Sequence, residues 1–249
     1  MIPALAACVI PALVLPPLLL RLGNPVLFAV LPVLPLAIVY ARNLAARKPR
    51  TAVILALAWA AALSASTVAA AARSPEAIAR GIWHASAYRD EMLRWIATGA
   101  GAEGSIALFL PRVLVEYVLV VLLSAASAGM AALLLGALLL GYMNGYVGWV
   151  IAHADLKTGP LAAAFLAWPP WPMARVVSFI FAGTGAAAWG YARLYDRSGA
   201  RPCVRRLFGA SLAFLAADIA LKFWLAPGWR LLLRSLLGAS AGIEAGGTG

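Results

Sequence analysis

Cysteine, histidine and acidic side chains are scarce in this 249-residue sequence, and each shortage narrows the chemistry that it supports. The two cysteines, Cys8 and Cys203, belong to no Cys-x-x-Cys or metal-ligand spacing, so the sequence predicts neither a disulfide nor a metal site. The two histidines, His84 and His153, supply too few ligands for a metal centre. There is no His-Glu-x-x-His motif and no aspartate pair in adjacent apolar runs, which disfavours a membrane protease or a lipid-phosphate transferase. We therefore expect a non-enzymatic protein without a cofactor.

Charged residues make up only 12% of the chain, against about 25% in a soluble domain, whereas 64% of its residues are hydrophobic. The mean hydropathy is +0.90, and apolar runs close to the ~20 residues that cross a bilayer recur along the whole length. This pattern predicts an all-α, polytopic integral membrane protein of about seven transmembrane helices. They form one membrane-embedded domain over residues 1–240, followed by a disordered tail at 241–249. The predicted spans are Ile2–Leu20, Val26–Tyr40, Thr51–Ala72, Ile106–Ala125, Ala128–Ile151, Arg175–Tyr191 and Leu207–Leu225.

The formal net charge of +11 comes from basic residues that cluster in short loops between the apolar runs. Loop 42–50 carries four basic residues and no acid, and loop 193–206 carries five arginines against one aspartate. Both loops fall on the same side of a seven-span arrangement, which agrees with the positive-inside rule. We therefore expect a multi-pass protein of the cell membrane with its N-terminus in the cytoplasm and its C-terminus outside. The expected partner of this basic charge is the lipid bilayer, through its anionic headgroups, and no nucleic acid.

Two stretches between the runs are more than simple loops. Segment 73–105 opens with a Ser-Pro-Glu helix start and has an amphipathic pattern, which predicts an extracytoplasmic helix in the membrane interface anchored by Trp83, Tyr88 and Trp95. In the alternative interpretation, it folds over the membrane core as a lid. Segment 160–174 is apolar but broken by prolines before the sixth span, so crossing, re-entering and lying flat all remain open. Prolines within the first two runs predict kinked helices.

Charged side chains within apolar runs are costly and mark candidate functional residues. Arg112 and Glu116 lie four residues apart in the fourth run, and Asp218 and Lys222 have the same spacing in the seventh. Each pair can therefore neutralise itself on one helix face. Arg175 begins the sixth run directly after the prolines. Two interpretations stay open: internal ion pairs near the membrane interfaces, or a buried ion or proton relay between helices in which Asp218 takes part.

Asn144 lies deep in the fifth run among glycines that weaken an isolated helix. Gly141 and Gly145 form a Gly-x-x-x-Gly motif, and Gly148 extends the same small surface. This pattern predicts that another backbone approaches the face and bonds to the Asn144 amide. Packing within the chain, a homodimer face and a ligand contact are the alternatives. The sixth run has a similar series of small positions at Gly183, Gly185 and Gly190.

The stretch from about residue 105 to 193 resembles the stage II sporulation protein M family. Members of that family have an Asn-Gly with another glycine close behind, and Asn144, its following glycine and Gly148 match this element. A proline-led entrance and a helix with spaced glycines come next in the family. Pro170, Gly183 and Gly190 fall at the corresponding places here.

The sequence departs from the family pattern at the entrance to the sixth run. Trp171 and Pro172 stand where the family has His and Gly, and Arg175 stands where it has a Glu. A reversed charge pair between Arg175 and Glu116 is the arrangement that we expect from this exchange.

Two functions follow as hypotheses. The resemblance implies a non-enzymatic membrane scaffold that packs with itself as a homodimer or with other membrane proteins. The alternative is a small-solute or ion transporter or channel with a pathway lined by Asn144, Glu116, Arg175 and Asp218. The sequence leaves the substrate, the partner and the oligomeric state open.

Overall fold

The computed structural model describes residues 2–154, 159–194 and 201–237, and all regular secondary structure within them is α-helical. The predicted tail at 241–249 lies outside the described residues. The helices are α1 (Ile2–Leu22), α2 (Pro25–Val30), α3 (Val33–Ala45), α4 (Pro49–Arg73), α5 (Pro75–Gly81), α6 (Ala85–Thr98), α7 (Ile106–Ser127), α8 (Met130–His153), α9 (Pro160–Ala167), α10 (Pro170–Leu194) and α11 (Arg201–Leu237).

Six segments of the described residues are long and apolar enough to cross a membrane. They are α1, α2 together with α3, α4, α7, α8 and α11 from Pro202 onwards. The prediction of about seven spans differs at α10, which has 25 residues but carries Arg175 and several polar and glycine positions that lower its hydropathy. Because α10 packs lengthwise against α7 and α11, it belongs to the same bundle. The chain is an all-α, multi-pass membrane protein, as predicted.

The second predicted span is interrupted at Pro32, as its prolines indicate. Asn24 caps α2, because its side-chain oxygen accepts hydrogen bonds from the Val26 and Leu27 amides, both at 3.1 Å. The Trp59 indole of α4 donates to the Pro32 carbonyl at 2.9 Å. A side chain of a neighbouring helix thus satisfies a backbone group at the break, which is how apolar surroundings tolerate proline.

α4 is the central helix of the bundle and packs against α1, α3, α8 and α10. Alanine occupies many of its positions, and small side chains let four neighbouring backbones approach one helix. α4 and α8 run parallel, because Ser64 contacts Asn144 and Ala71 contacts Gly148 further along both helices. α7 and α11 both pack against α10, and α7 also packs against α8.

Segment 73–105 folds onto one end of the bundle as α5 and α6. α5 packs against α1 and α8, whereas α6 packs against α8 and α11. Trp83 is exposed, but Trp95 is fully buried together with Met92 and Ile96. The prediction that Trp95 is an interfacial anchor is therefore wrong, because its face of α6 is covered by the end of α11. The arrangement corresponds to the alternative in which the segment folds over the bundle.

The amphipathic stretch after the seventh predicted span is not a separate element. The sequence pattern ended that span at Leu225, but α11 continues without a break to Leu237 and includes Pro227. Its second half packs on α6 and α9. The Trp229 indole donates to the Leu166 carbonyl of α9 at 2.7 Å. These tertiary contacts compensate for the backbone hydrogen bond that proline removes.

Candidate functional site

Four charged side chains from separate parts of the chain meet around the ring of Phe109, on the first turn of α7. Glu103 belongs to the loop between α6 and α7, Arg175 to α10, and Asp218 and Lys222 to α11. We call these five residues the ion cluster. α10 and α11 are neighbours over much of their length, and the short loop before α7 closes the group from the side. The fold therefore joins charges that are more than 100 positions apart in sequence.

Arg175 and Asp218 form a buried, bidentate ion pair between α10 and α11. The guanidinium donates to the Asp218 carboxylate at 2.9 Å through Nε and at 3.3 Å through Nη2. The Asp218 side chain is 0% exposed. Asp218 thus takes its main partner from another helix, and the predicted pairing with Lys222 on the same face is wrong. The expected pair of Arg175 with Glu116 is also wrong, since the guanidinium is committed to Asp218.

Lys222 forms the second pair of the ion cluster, with Glu103. Its ammonium lies 3.0 Å from Glu103 Oε1, and the Trp171 indole donates to the other carboxylate oxygen at 3.3 Å. The Lys222 ammonium also lies 3.4 Å from the centre of the Phe109 ring, and the Arg175 guanidinium carbon lies 4.7 Å from it. The ring is therefore held by two cations, whose charges its π-face partly stabilises. The four charged groups sum to zero.

Arg112 and Glu116 have the contact that their spacing predicts, at 3.4 Å between Nε and Oε1. Arg112 Nη1 also lies 3.4 Å from both oxygens of Glu91 on α6. The Arg112 side chain is about half exposed, so these long contacts contribute little to stability. Their structural role is to join α6 to α7 next to the ion cluster.

A cavity of about 520 Å³ opens beside the ion cluster, between α6, the loop before α7, and α11. Its charged lining groups are Glu103, Lys222 and Arg230. Arg230 donates to the carbonyls of the last turn of α6, at 3.0 Å to Ile96 and 2.9 Å to Ala97. Aromatic and aliphatic side chains form the rest of the wall. This mixture of many apolar groups and a few convergent charges is typical of a ligand site.

Asn144 and the glycines of α8 lie away from this cavity. Asn144 is fully buried and donates from Nδ2 to the Ser64 hydroxyl of α4 at 2.9 Å. Gly148 lies so close to α4 that an added Cβ would meet the Ala71 side chain. Gly141 faces Phe28 of α2 and Gly145 faces Ile78 of α5, with Ile82 beside both. These small positions contact other helices of the same chain.

The glycines of α10 also contact neighbouring helices. Gly183 faces Ser124 of α7, and Gly190 faces the Ala125 carbonyl of the same helix. Gly185 instead faces Phe208 of α11. α10 therefore uses its small residues on two sides, which lets α7 and α11 approach it closely and places Arg175 next to Asp218.

Three tyrosines lie between α6 and α8, next to the ion cluster. The ring centre of Tyr88 is 4.8 Å from that of Tyr142 and 5.8 Å from that of Tyr146. Burial raises the pKa of the Tyr88 phenol well above its ordinary value, and the Glu103 carboxylate adds to the effect. Tyr88 is therefore neutral under physiological conditions and acts as a packing group rather than as an interfacial anchor.

Sequence reasoning missed Glu103, Phe109, Trp171 and Arg230. Glu103 stands in a glycine-rich loop outside the apolar runs, where an acid is unremarkable, and Phe109 is an ordinary apolar residue of a span. In the sequence, Trp171 stands out only as a departure from a family pattern. The one available signal was charge balance, because Arg175 and Lys222 need acidic partners within the apolar region.

The described residues contain no group of three or more His, Cys, Asp or Glu side chains that could hold a metal ion. His153 contacts the Trp149 carbonyl of its own helix at 2.8 Å. The ion cluster consists of two ion pairs around the Phe109 ring.

The fold and the cavity together define a multi-pass helical membrane protein with an internal ion cluster. In comparisons with protein-family models, curated proteins and solved structures, no match to this chain is found.

Proposed function

We propose that this protein is a membrane transporter or channel for a small charged solute, with the ion cluster and its cavity as part of the pathway. The observation that carries the proposal is the position of two buried ion pairs directly beside a cavity of about 520 Å³. Buried charges are costly, and a helix bundle needs none of them to be stable. A pathway for a charged solute supplies a reason for their presence.

The pathway of this proposal differs from the one expected from sequence. Arg175 and Asp218 remain in it, one helical turn along α11 from Lys222 at the cavity wall. Glu116 stays next to it through Arg112. Asn144 is removed from the pathway, because it is buried between α4 and α8 and does not line the cavity.

Ion flux into proteoliposomes tests the proposal. Purified protein is reconstituted and exposed in turn to gradients of chloride, phosphate, acetate, sodium and potassium. We expect protein-dependent flux of at least one of these ions, and a reduction of at least tenfold in Asp218→Asn. Asp90→Asn is the matched control, because Asp90 is an exposed carboxylate outside the ion cluster. If no gradient produces protein-dependent flux, or if both variants retain it, the proposal fails.

A scaffold function is the second proposal, and a different surface supports it. At about 1.5 Å per residue, the 37-residue α11 is longer than a bilayer is thick. Trp224, Leu231 and Leu232 are exposed on its second half, although the opposite face is buried against α6 and α9. Exposed apolar patches of this kind mark interaction surfaces. The glycine faces are less suitable, because helices of the same chain occupy them.

Disulfide cross-linking in native membranes tests self-association through α11. In a background without the natural cysteines, Trp224→Cys should give a cross-linked homodimer if two copies meet at this face. Leu161→Cys is the control, an exposed apolar position on α9. Equal cross-linking at both positions, or none at either, argues against a homodimer through α11.

A further inference from the structure

Lys222 has an incomplete set of partners in the wall of the cavity. The residue is 5% exposed, and its ammonium carries three N–H donors. The carboxylate of Glu103 lies 3.0 Å away and can accept from one of them, but among the described residues no other acceptor lies within hydrogen-bond reach of this ammonium. A buried charge with unused donors is costly, so the site favours an acceptor that the protein itself does not supply.

The charges that line the cavity favour an anion. Lys222 and Arg230 are basic and Glu103 is acidic, so the lining carries one net positive charge. Arg230 uses Nε and Nη2 for the carbonyls of α6, which leaves donors of its other amino group unassigned. The neighbouring Arg175 and Asp218 neutralise each other and leave this balance unchanged.

Glu103 lies in a loop where few side chains contact its carboxylate. The loop runs from 99 to 105 between α6 and α7, and Gly99 and Gly101 have φ values of +79° and +113°. Such backbone angles favour glycine. Besides Lys222, the partner of the Glu103 carboxylate is the Trp171 indole at 3.3 Å, a long hydrogen bond. Replacement of this carboxylate by another anion thus breaks few contacts.

The apolar wall of the cavity reaches the outer surface of the bundle between α7 and α11. Ile106 and Phe223 line the cavity and are 46% and 61% exposed. Deeper in the bundle, Phe109, Val113 and Leu215 close the gap between these two helices. An apolar chain that starts in the cavity can therefore leave it sideways into the bilayer.

The depth of the cavity suits a lipid headgroup. Lys222 lies 16 positions after Arg206, the last basic residue before the apolar part of α11, and this corresponds to about 24 Å along a helix. That distance covers most of the ~30 Å hydrocarbon core, so the ammonium lies towards the headgroup level at the α5–α6 end of the bundle. α7 begins at Ile106 on the same level.

We propose that this cavity binds the anionic headgroup of an amphipathic molecule, a phosphate or carboxylate, between Lys222 and Arg230, with its apolar chain leaving past Ile106 and Phe223. In the empty protein, the Glu103 carboxylate occupies part of the headgroup position. This binding site goes beyond the proposed transport of a small ion and stands on the cavity and its charges alone.

Native mass spectrometry of the full chain, released from nanodiscs of mixed phosphatidylcholine and phosphatidylglycerol, tests this binding. We expect phosphatidylglycerol to be retained at least tenfold over phosphatidylcholine. Lys222→Met should abolish the preference, whereas Arg234→Met should keep it, because Arg234 is an exposed arginine of the same helix outside the cavity lining. Equal retention of both lipids by the unchanged protein overturns the proposal.

Glu103→Gln is a second variant, whose expected effect cannot be produced by misfolding. Removing the resident carboxylate should strengthen phosphatidylglycerol retention several-fold, an increase that an unfolded protein cannot produce. Unchanged or weaker retention shows that Glu103 does not occupy the site. In a further arm, glycerol 3-phosphate is added to the protein in pure phosphatidylcholine; retention of this soluble headgroup that is lost in Lys222→Met identifies a free anion as the source.

The two proposals fail in distinguishable ways. Selective, Lys222-dependent lipid retention without any flux removes the transport function and keeps the binding site. Ion flux that depends on Asp218, with no preference between the two lipids, keeps the transport function and removes the lipid site.

Discussion

Asp218 is an aspartate without exposed surface, and Arg175 is its ion-pair partner. Breaking a buried ion pair on one side leaves an uncompensated charge, at a cost of about 3–5 kcal/mol. Replacing both partners by apolar groups of similar volume is often neutral or stabilising. The pair can therefore be separated experimentally into a contribution to stability and a contribution to function.

The stability prediction concerns both partners of this pair. We expect Asp218→Leu to lower the free energy of unfolding by about 3–5 kcal/mol, and Arg175→Met with Asp218→Leu to recover most of that loss. Unfolding in detergent, followed by tryptophan fluorescence, measures both. A double variant that is stable but has no ion flux assigns the pair to function. If the single substitution costs nothing, the pair is not buried as the structure describes.

At the scale of single residues, the spacing of charges along one helix does not predict which ion pairs form. Residues four apart on a helix are able to meet, and Arg112 and Glu116 do so. Asp218 and Lys222 have the same spacing, but each has a stronger partner from another element. The partner is decided by the distance between charged groups on different helices, and the sequence of a single helix does not specify that distance.

At the scale of elements, the close approach of α4 and α8 depends on Gly148. An added Cβ would lie 2.8 Å from the Val68 carbonyl oxygen and 2.9 Å from the Ala72 nitrogen, in addition to meeting the Ala71 side chain. Backbone atoms of a central helix cannot shift without disturbing its other neighbours. The glycine thus serves packing between two parallel helices, as its sequence pattern allowed.

Gly148→Ala should destabilise the protein by about 1–3 kcal/mol, because the overpacked interface forces α4 and α8 apart. Gly136→Ala is the control in the same helix, since no atom lies within 4 Å of an added Cβ there. It should stabilise the protein by about 0.5–1 kcal/mol through helix propensity. Unfolding in detergent distinguishes the two, and equal effects would refute the packing role of Gly148.

α6 depends on α11 for its position, through the Arg230 guanidinium and the carbonyls at the end of α6. Arg230→Met removes charge-assisted hydrogen bonds to groups that α6 cannot satisfy itself. We expect amide hydrogen exchange in residues 85–98 to rise at least tenfold, by local opening. Arg234→Met, an exposed arginine of the same helix, should leave exchange unchanged. Equal protection in both variants contradicts the role of Arg230.

Element boundaries show where sequence patterns lost accuracy. Apolar runs located α1, α4, α7 and α8 to within a few residues, because their length is set by the bilayer. The end of α11 was misplaced, because a proline and an amphipathic pattern indicated a break that packing on α6 and α9 overrides. Trp95 was assigned to the interface for a similar reason, since an aromatic residue suits either environment.

At the scale of the whole molecule, the charge pattern and the bundle make a joint prediction about orientation. The loop at 46–48 precedes α4, and the loop before α7 comes after the other end of α4. The two loops therefore lie at opposite ends of the bundle. The positive-inside rule places the first in the cytoplasm, which puts the ion-cluster cavity on the outer side.

Cysteine labelling in intact cells measures this orientation. In a background of Cys8→Ala and Cys203→Ser, we expect Ala46→Cys to react with a membrane-impermeant maleimide only after the cells are opened. Ala100→Cys should react in intact cells. Both are exposed alanines in connecting segments, so their local reactivity is comparable. The reverse labelling pattern would place the cavity in the cytoplasm.

The sequence by itself determined that this chain is a helical, multi-pass membrane protein, because composition and run length act locally and the bilayer demands both. It also marked Arg175, Asp218 and Lys222 as residues whose burial needs compensation. Only the tertiary structure decided which charges pair, that Glu103 joins them, and that a cavity lies beside them. Pairing and cavities depend on distances between elements, and the separation of residues along the chain places no constraint on those distances.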